Sequence, residues 1–251
     1  MPTDSDKDVR RYLFVMSDTG GGHRSSALAV RDEMQRLYGM TVSIEVADIF
    51  VESELWPFRC FPRWYAPMVK LKSIPYGWFF HATDDVQIVR AVSSLARIYT
   101  AEPARRFLRQ HAPDVVVSFH PVPNYTLLWA CRQMPDPPLF ITVAVDLVTV
   151  HASCFAPGAH THFVPTEPAR QRALRCGVPA DCIEIMGGMP VRRGFIEARA
   201  LPKAEARRRL NLPPDRSIVL MVGGGEGLGP LDKVVRALAQ RRPPAHLVAV
   251  T

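Results

Sequence analysis

The chain has 251 residues, 47% of them apolar, enough for one large or two modest folded domains with a sizeable buried core. Its 31 Lys and Arg against 24 Asp and Glu leave a formal charge of +7, which suits an anionic membrane surface, an anionic substrate or nucleic acid. Five cysteines without a CxxC pair argue against a zinc site and a complete disulfide framework and fit a reducing cytoplasm; the polar N-terminus and the lack of any run of about 18 apolar residues predict neither a signal peptide nor a membrane span.

In chain order, the apolar run from Tyr12 to Met16 predicts a strand, followed by SDTGGGHRSSA at Ser17 to Ala27 and by a helical pattern in which Ala27, Val30, Met34 and Leu37 recur at spacings of three and four. Gly20, Gly21 and Gly22 allow positive φ and close approach of a ligand. His23 and Arg24 fall at the helix N-terminus, where free N–H groups favour an anion. The dinucleotide fingerprint fits less well, because Ser25 stands where its third glycine belongs. Asp48, after a second strand at Val42 to Ala47, could imitate a ribose-binding acid. A glycine turn with a structural histidine is the plain alternative.

Between Glu52 and Phe80, Trp56, Trp64, Trp78 and other aromatics alternate with prolines and with Arg59, Arg63, Lys70 and Lys72. Rings beside cations suit a lipid headgroup layer, so this stretch predicts contact with an anionic membrane surface; cover over the core is the alternative. Such a composition also suits single-stranded nucleic acid, but no nucleic-acid signature accompanies it, and no nucleic-acid partner is expected.

Thr83 and Asp84 read as an N-cap region, with Ile88, Val92, Leu95 and Tyr99 on one helical face and a further helical stretch through Phe107 and Leu108 to His111. Asp114 to Phe119 reads as a buried parallel strand delivering His120 to its end, Leu127 to Cys131 as a short helix, and Leu139 to Val145 as a strand that stops at Asp146. Thr161 to Pro165 and Ile183 to Met186 predict two more strands around a helix at Glu167 to Cys176, closed by Gly177. Because open parallel sheets bind ligands at the carboxyl ends of their strands, His23, His120, Asp146 and His151 are expected along one sheet edge. Each of these residues taken singly is explained as well by a structural role.

Beyond Gly187-Gly188-Met189-Pro190 comes a charged helix, Pro202 to Leu210, then a strand at Ser217 to Val222, the loop Gly223 to Gly229 with Gly224, Gly225 and Glu226, a helix at Leu231 to Gln240 and an apolar run at His246 to Val250. A strand, glycine loop and helix recur, so the expected fold class is α/β: a Rossmann-like N-terminal domain over 1–200 and the start of a second Rossmann-like domain over 201–251.

SDTGGGHRSSA, FITVAVDLVTVHASCFAPGAHTHFVPTE at Phe140 to Glu167, GGMPVRRGF at Gly187 to Phe195 and VLMVGGGEGLGPL at Val219 to Leu231 resemble, in this order, the monogalactosyldiacylglycerol synthase and processive diacylglycerol glucosyltransferase family of GT-B glycosyltransferases. The resemblance implies inverting transfer of a hexose from a UDP-sugar donor to a diacylglycerol acceptor on the cytoplasmic face of a membrane, with no metal and no cofactor. On it, His23 and Asp146 are the catalytic candidates. His120, His151, Trp56, Trp64 and Trp78 would face the acceptor, and Gly21, Gly22, Gly224, Gly225 and Glu226 the donor. His151-Ala152-Ser153-Cys154-Phe155 replaces the family's His-Pro-x-Trp-Phe, so one aromatic is missing. The later donor-site half is not found before Thr251, and the 251-residue chain is therefore expected to be catalytically incomplete. The competing readings are a non-catalytic lipid-binding module and a nucleotide-binding oxidoreductase.

Overall fold

The computed structural model describes residues 9–18, 21–52, 81–223, 231–241 and 243–250. Trp56, Trp64, Trp78, Gly224, Gly225 and Glu226 lie outside the described residues.

Six parallel strands form the main sheet: β1 (Arg10–Met16), β2 (Val42–Asp48), β3 (Val115–Ser118), β4 (Leu139–Val143), β5 (Thr161–Val164) and β6 (Ile183–Ile185). Their order is β2-β1-β3-β4-β5-β6. The chain steps outward from β1 to β2 and then crosses to the other side of β1 for β3. A crevice therefore opens between the carboxyl ends of β1 and β3, the switch point at which such sheets bind ligands. Phe119 N–H donates to the Val15 carbonyl at 2.8 Å, which keeps the two chain segments side by side up to that crevice.

Alternation along β1 sorts its side chains between two cores, as a sheet covered on both faces requires. Leu13 and Val15 pack with Val116, Phe140 and residues of helices α3 (Val86–His111) and α4 (Asn124–Arg132). Phe14 and Met16 pack with Val115, Val117, Phe119 and the Ala27, Val30 and Met34 face of helix α1 (Gly22–Tyr38). Helix α2 (Ile49–Glu52) contributes Ile49 and Phe50 to the first core. Full burial of side chains such as Phe14, Phe119 and Phe140 stabilises the fold by about 1.5–3 kcal/mol each. A third core, around Phe155, Val164 and Ala173, joins β5 to helix α5 (Glu167–Arg175), which Gly177 closes at φ 82°.

The helical region around residue 100 differs from what the sequence suggests. Asp85, rather than Thr83 or Asp84, caps α3, accepting the N–H groups of Gln87 at 2.8 Å and Ile88 at 3.2 Å. The two predicted stretches are one helix of 26 residues with Pro103 inside it. Ile88, Val92, Leu95 and Tyr99, which make one apolar helical face in the sequence, are exposed. Its buried residues are Val89, Ala104, Phe107 and Leu108, because the C-terminal half lies over the sheet while the N-terminal half reaches past it toward the loop after β4.

Further along lie helices α6 (Arg193–Ala198) and α7 (Lys203–Arg209), strand β7 (Ser217–Val222), helix α8 (Leu231–Gln240) and strand β8 (Ala245–Val250). The strands β7 and β8 pair in parallel as a separate sheet, a strand-helix-strand unit of the kind expected from the sequence.

Candidate functional site

The first glycine loop shows why it needs glycine. Gly21 is the N-cap of α1 in the left-handed region at φ 73°, ψ −17°, a conformation costly for a residue with Cβ. A Cβ placed on Gly21 or on Gly22 would meet no described residue within 4 Å, so among the described residues no packing fills the space beside them. The loop is anchored by Asp48, whose Oδ2 accepts the Asp18 N–H at 3.0 Å while Oδ1 accepts Phe50 N–H at 3.0 Å at the start of α2. Both carboxylate oxygens thus hold the protein's own backbone, tying the glycine loop to the start of α2.

His23 stands on the first turn of α1 and bridges the crevice. Its Nδ1 lies 2.6 Å from the Phe119 carbonyl oxygen. A carbonyl only accepts, so Nδ1 carries the proton and Nε2 keeps the basic lone pair. Burial pushes the His23 pKa below the ordinary imidazole value, partly opposed by the Phe119 carbonyl and the Asp146 carboxylate, so the neutral base dominates near neutral pH. Asp146 keeps exposed surface, yet burial raises its carboxyl, with His23 and His151 pulling the other way. The two catalytic candidates, one after the first strand and one after the fourth, are therefore brought within electrostatic reach of each other.

His120 lies behind His23. Their rings meet edge-on with centroids 4.7 Å apart, and Phe50 meets His120 at 5.3 Å. With 4% of its surface exposed, His120 offers little to a bulky acceptor. Burial, and then the His23 charge, hold its pKa well below the usual range, and Nδ1 takes the Val122 N–H at 3.4 Å. It supports the orientation of His23 as a neutral, mostly enclosed ring.

His151 sits on the loop after β4, and both its ring nitrogens have protein partners. Nδ1 lies 2.7 Å from the Ser153 hydroxyl and accepts the Ser153 N–H at 3.2 Å; Nε2 lies 3.2 Å from the Thr83 hydroxyl. The same loop is held by three residues that the sequence reading did not place at the site. Asp84 accepts the Ala152 N–H at 2.8 Å and pairs with Arg172 at 2.6 Å, while Arg172 Nε donates to the Val150 carbonyl at 3.3 Å. Asn124 Nδ2 donates to the carbonyls of Ser153 at 3.1 Å and Cys154 at 3.2 Å. Nothing local marks these contacts, since Asp84 reads as a cap and Arg172 as one charge on a polar helix.

Arg192, on the segment after β6, donates from Nε to the Ser25 hydroxyl at 3.3 Å and so places a cation beside the first turn of α1. The RR of GGMPVRRGF was its only trace in the sequence. Cys131, Cys154 and Cys176 are buried free thiols whose pKa values burial raises, which makes them packing residues and not nucleophiles. Among the described residues, no group of three or more His, Cys, Asp or Glu side chains could hold a metal ion.

Residues 23–191 match the family described as monogalactosyldiacylglycerol (MGDG) synthase. The chain is 32% identical to monogalactosyldiacylglycerol synthase 2 of Arabidopsis thaliana over 96% of its own length and 53% of that protein's. It is 34% identical to synthase 3 of the same plant over 92% of its own length and 49% of that protein's. It thus spans about half the length of the curated relatives it matches. Among solved structures, it is similar to Staphylococcus aureus MnaA with UDP (14% identity, TM-score 0.47, 96% of this chain and 62% of that one). It is also similar to Acinetobacter baumannii MurG (16% identity, TM-score 0.43, 96% and 66%).

Proposed function

Because this chain belongs to the monogalactosyldiacylglycerol synthase family, we propose that it forms the acceptor side of a glycosyltransferase that moves a hexose from a UDP-sugar to the free hydroxyl of diacylglycerol. The observation that carries this reading is His23: a neutral imidazole with Nδ1–H fixed on the Phe119 carbonyl, its Nε2 left basic at the switch-point crevice, with Asp146 near enough to stabilise a positive charge.

In the reaction, His23 Nε2 takes the proton of the diacylglycerol hydroxyl as that oxygen bonds to the anomeric carbon, and the bond from that carbon to the diphosphate breaks on the opposite face. The imidazolium formed is offset by the Asp146 carboxylate. The leaving UDP carries away the bonding pair, and the α1 N-terminus at Gly21 and Gly22, with the guanidinium of Arg192, supplies positive potential for its phosphates. The division into an acceptor-side unit over 1–200 and a donor-side unit beginning at 201, which would bring Gly224, Gly225 and Glu226 to the donor, is part of the same proposal.

The setting we propose is the cytoplasmic face of a membrane. No helix among the described residues is long and apolar enough to cross one. The +7 charge and the aromatic and basic residues of the stretch from Glu52 to Phe80 favour contact with anionic lipid.

The test is transfer of labelled galactose or glucose from its UDP-sugar to diacylglycerol in mixed micelles by this chain joined to a complete donor-side unit, since the 251 residues alone are expected to transfer little. The expected product is a monohexosyl lipid formed with inversion. Saturable NAD(P) binding without transfer would replace this reading with the oxidoreductase, and diacylglycerol binding without transfer would leave a lipid-binding module.

A further inference from the structure

One cavity lies outside the histidine cluster yet shares a wall with it. It occupies about 180 Å3 between α2, α3 and the turn leading into α4, and is lined chiefly by Ile49, Phe50, Val92, Ala96, Val122 and Pro123. No charged side chain lines it among the described residues. Two of its three hydroxyl residues are already engaged: Thr100 donates to the Ala96 carbonyl at 3.1 Å and lies 3.3 Å from the Thr126 hydroxyl. Such a wall gives water too few partners, although the volume would hold roughly six molecules at about 30 Å3 each. Apart from the Ser93 hydroxyl, the described wall offers a sugar, a nucleotide or a phosphate no uncommitted polar side chain. An alkyl chain matches it.

Position narrows the occupant further. Phe50 forms part of the cavity wall and packs edge-on against His120 at 5.3 Å, and His120 meets His23 at 4.7 Å. Ile49 and Phe50 directly follow β2, and Val122 and Pro123 follow His120, so the cavity opens on the same carboxyl edge of the sheet as the base. In diacylglycerol the reacting hydroxyl stands only a few bonds from the first methylenes of an acyl chain. A chain seated here keeps that hydroxyl at the histidines. We propose that this cavity binds one acyl chain of the lipid acceptor, an assignment that rests on the diacylglycerol reading above.

The experiment uses dioleoylglycerol carrying a photoactivatable diazirine in an acyl chain, with the labelled peptides mapped by mass spectrometry, so that the readout does not depend on turnover. Adducts are expected on 49–50, 92–100 and 122–126. Ala96→Phe, which fills the cavity from α3, should cut labelling at least fivefold. It should also raise KM for dioleoylglycerol about tenfold more than KM for a dihexanoyl acceptor. Val92→Asp, at a position already 56% exposed and so compatible with folding, should act in the same direction by charging the wall. Adducts confined to other segments, or two folded variants that keep both labelling and chain-length preference, overturn the proposal. Labelling of the cavity by a protein that transfers no sugar even when joined to a complete donor-side unit would uphold the chain site while rejecting the glycosyltransferase. Sugar transfer with labelling elsewhere would do the reverse.

Discussion

Asp84 and Arg172 are 88 residues apart in sequence, yet the carboxylate and guanidinium meet at 2.6 Å, and Asp84 Oδ1 also accepts the Ala152 N–H. Through that pair, helix α5 and the segment leading into α3 grip the loop that carries His151. Both side chains keep under a quarter of their surface exposed, so removing either partner leaves polar groups poorly solvated.

Asp84→Ala should therefore lower unfolding free energy by about 1–3 kcal/mol and reduce kcat, whereas Asp84→Asn, which keeps an acceptor for Ala152, should lose less of both. Denaturant titration together with steady-state kinetics measures the difference. Equal losses in the two variants would mean that charge, not the acceptor on Ala152, holds the loop.

His23→Ala should lower kcat by about 10²–10⁴-fold while costing only about 1 kcal/mol of stability, because its ring is half-buried and makes one backbone hydrogen bond. The base must be unprotonated to act. Since burial lowers its pKa, activity is retained down to a pH below the ordinary value of 6.5 and is lost as pH falls through the lowered one. A profile of kcat/KM against pH locates that acid limb; a limb well above 6.5 would point to a different base.

The two described glycines of the first loop should respond oppositely. Gly21→Ala forces a Cβ into φ 73° and should cost about 1–2 kcal/mol. Gly22→Ala meets nothing within 4 Å and should change stability by less than about 0.5 kcal/mol. If a substrate packs against this loop, Gly22→Ala nonetheless raises KM severalfold. Thermal melts and donor KM values for both variants separate backbone strain from ligand clash.

His162, on β5, is fully buried opposite Thr142 of β4, with Nδ1 2.6 Å from the Thr142 hydroxyl, and burial lowers its pKa to about 4. Unfolding frees it to bind a proton near its ordinary value of 6.5. The unfolded state then holds more protons between those limits, so stability falls as pH drops from 6.5 toward 4, by up to about 1.4 kcal/mol per pH unit for this one group. In His162→Gln that share of the slope should disappear, while the shares due to His120 and His23, whose pKa values burial also lowers, persist. Urea midpoints measured across this pH range test it.

Replacing Trp56, Trp64 and Trp78 together by Ser should weaken cosedimentation with anionic liposomes, and added salt should weaken it further, because ring insertion and cation attraction act in parallel. Unchanged sedimentation would assign the stretch from Glu52 to Phe80 to covering the core.

Much of the fold is legible in the chain itself. Apolar runs such as Val115 to Phe119, and the change from period two to spacings of three and four after Ala27, record burial locally, so the strands emerge within two residues of their limits, whereas α3 reads as two stretches and the short helices α2 and α6 leave no periodic trace. The left-handed turn that Gly21 makes is local in the same sense, as is the arrival of His23, His120, Asp146 and His151 at strand ends. Only the tertiary structure decided what these residues meet. His23 finds the Phe119 carbonyl across 96 positions because strand order sets β3 beside β1. The face of Ile88, Val92, Leu95 and Tyr99 turned out exposed because packing against α4 and the sheet, which periodicity does not encode, selected Val89, Ala104 and Phe107 instead. The Asp84–Arg172 pair and the cavity beside Phe50 have no local signature either, since each arises where elements far apart in sequence are brought together by the sheet.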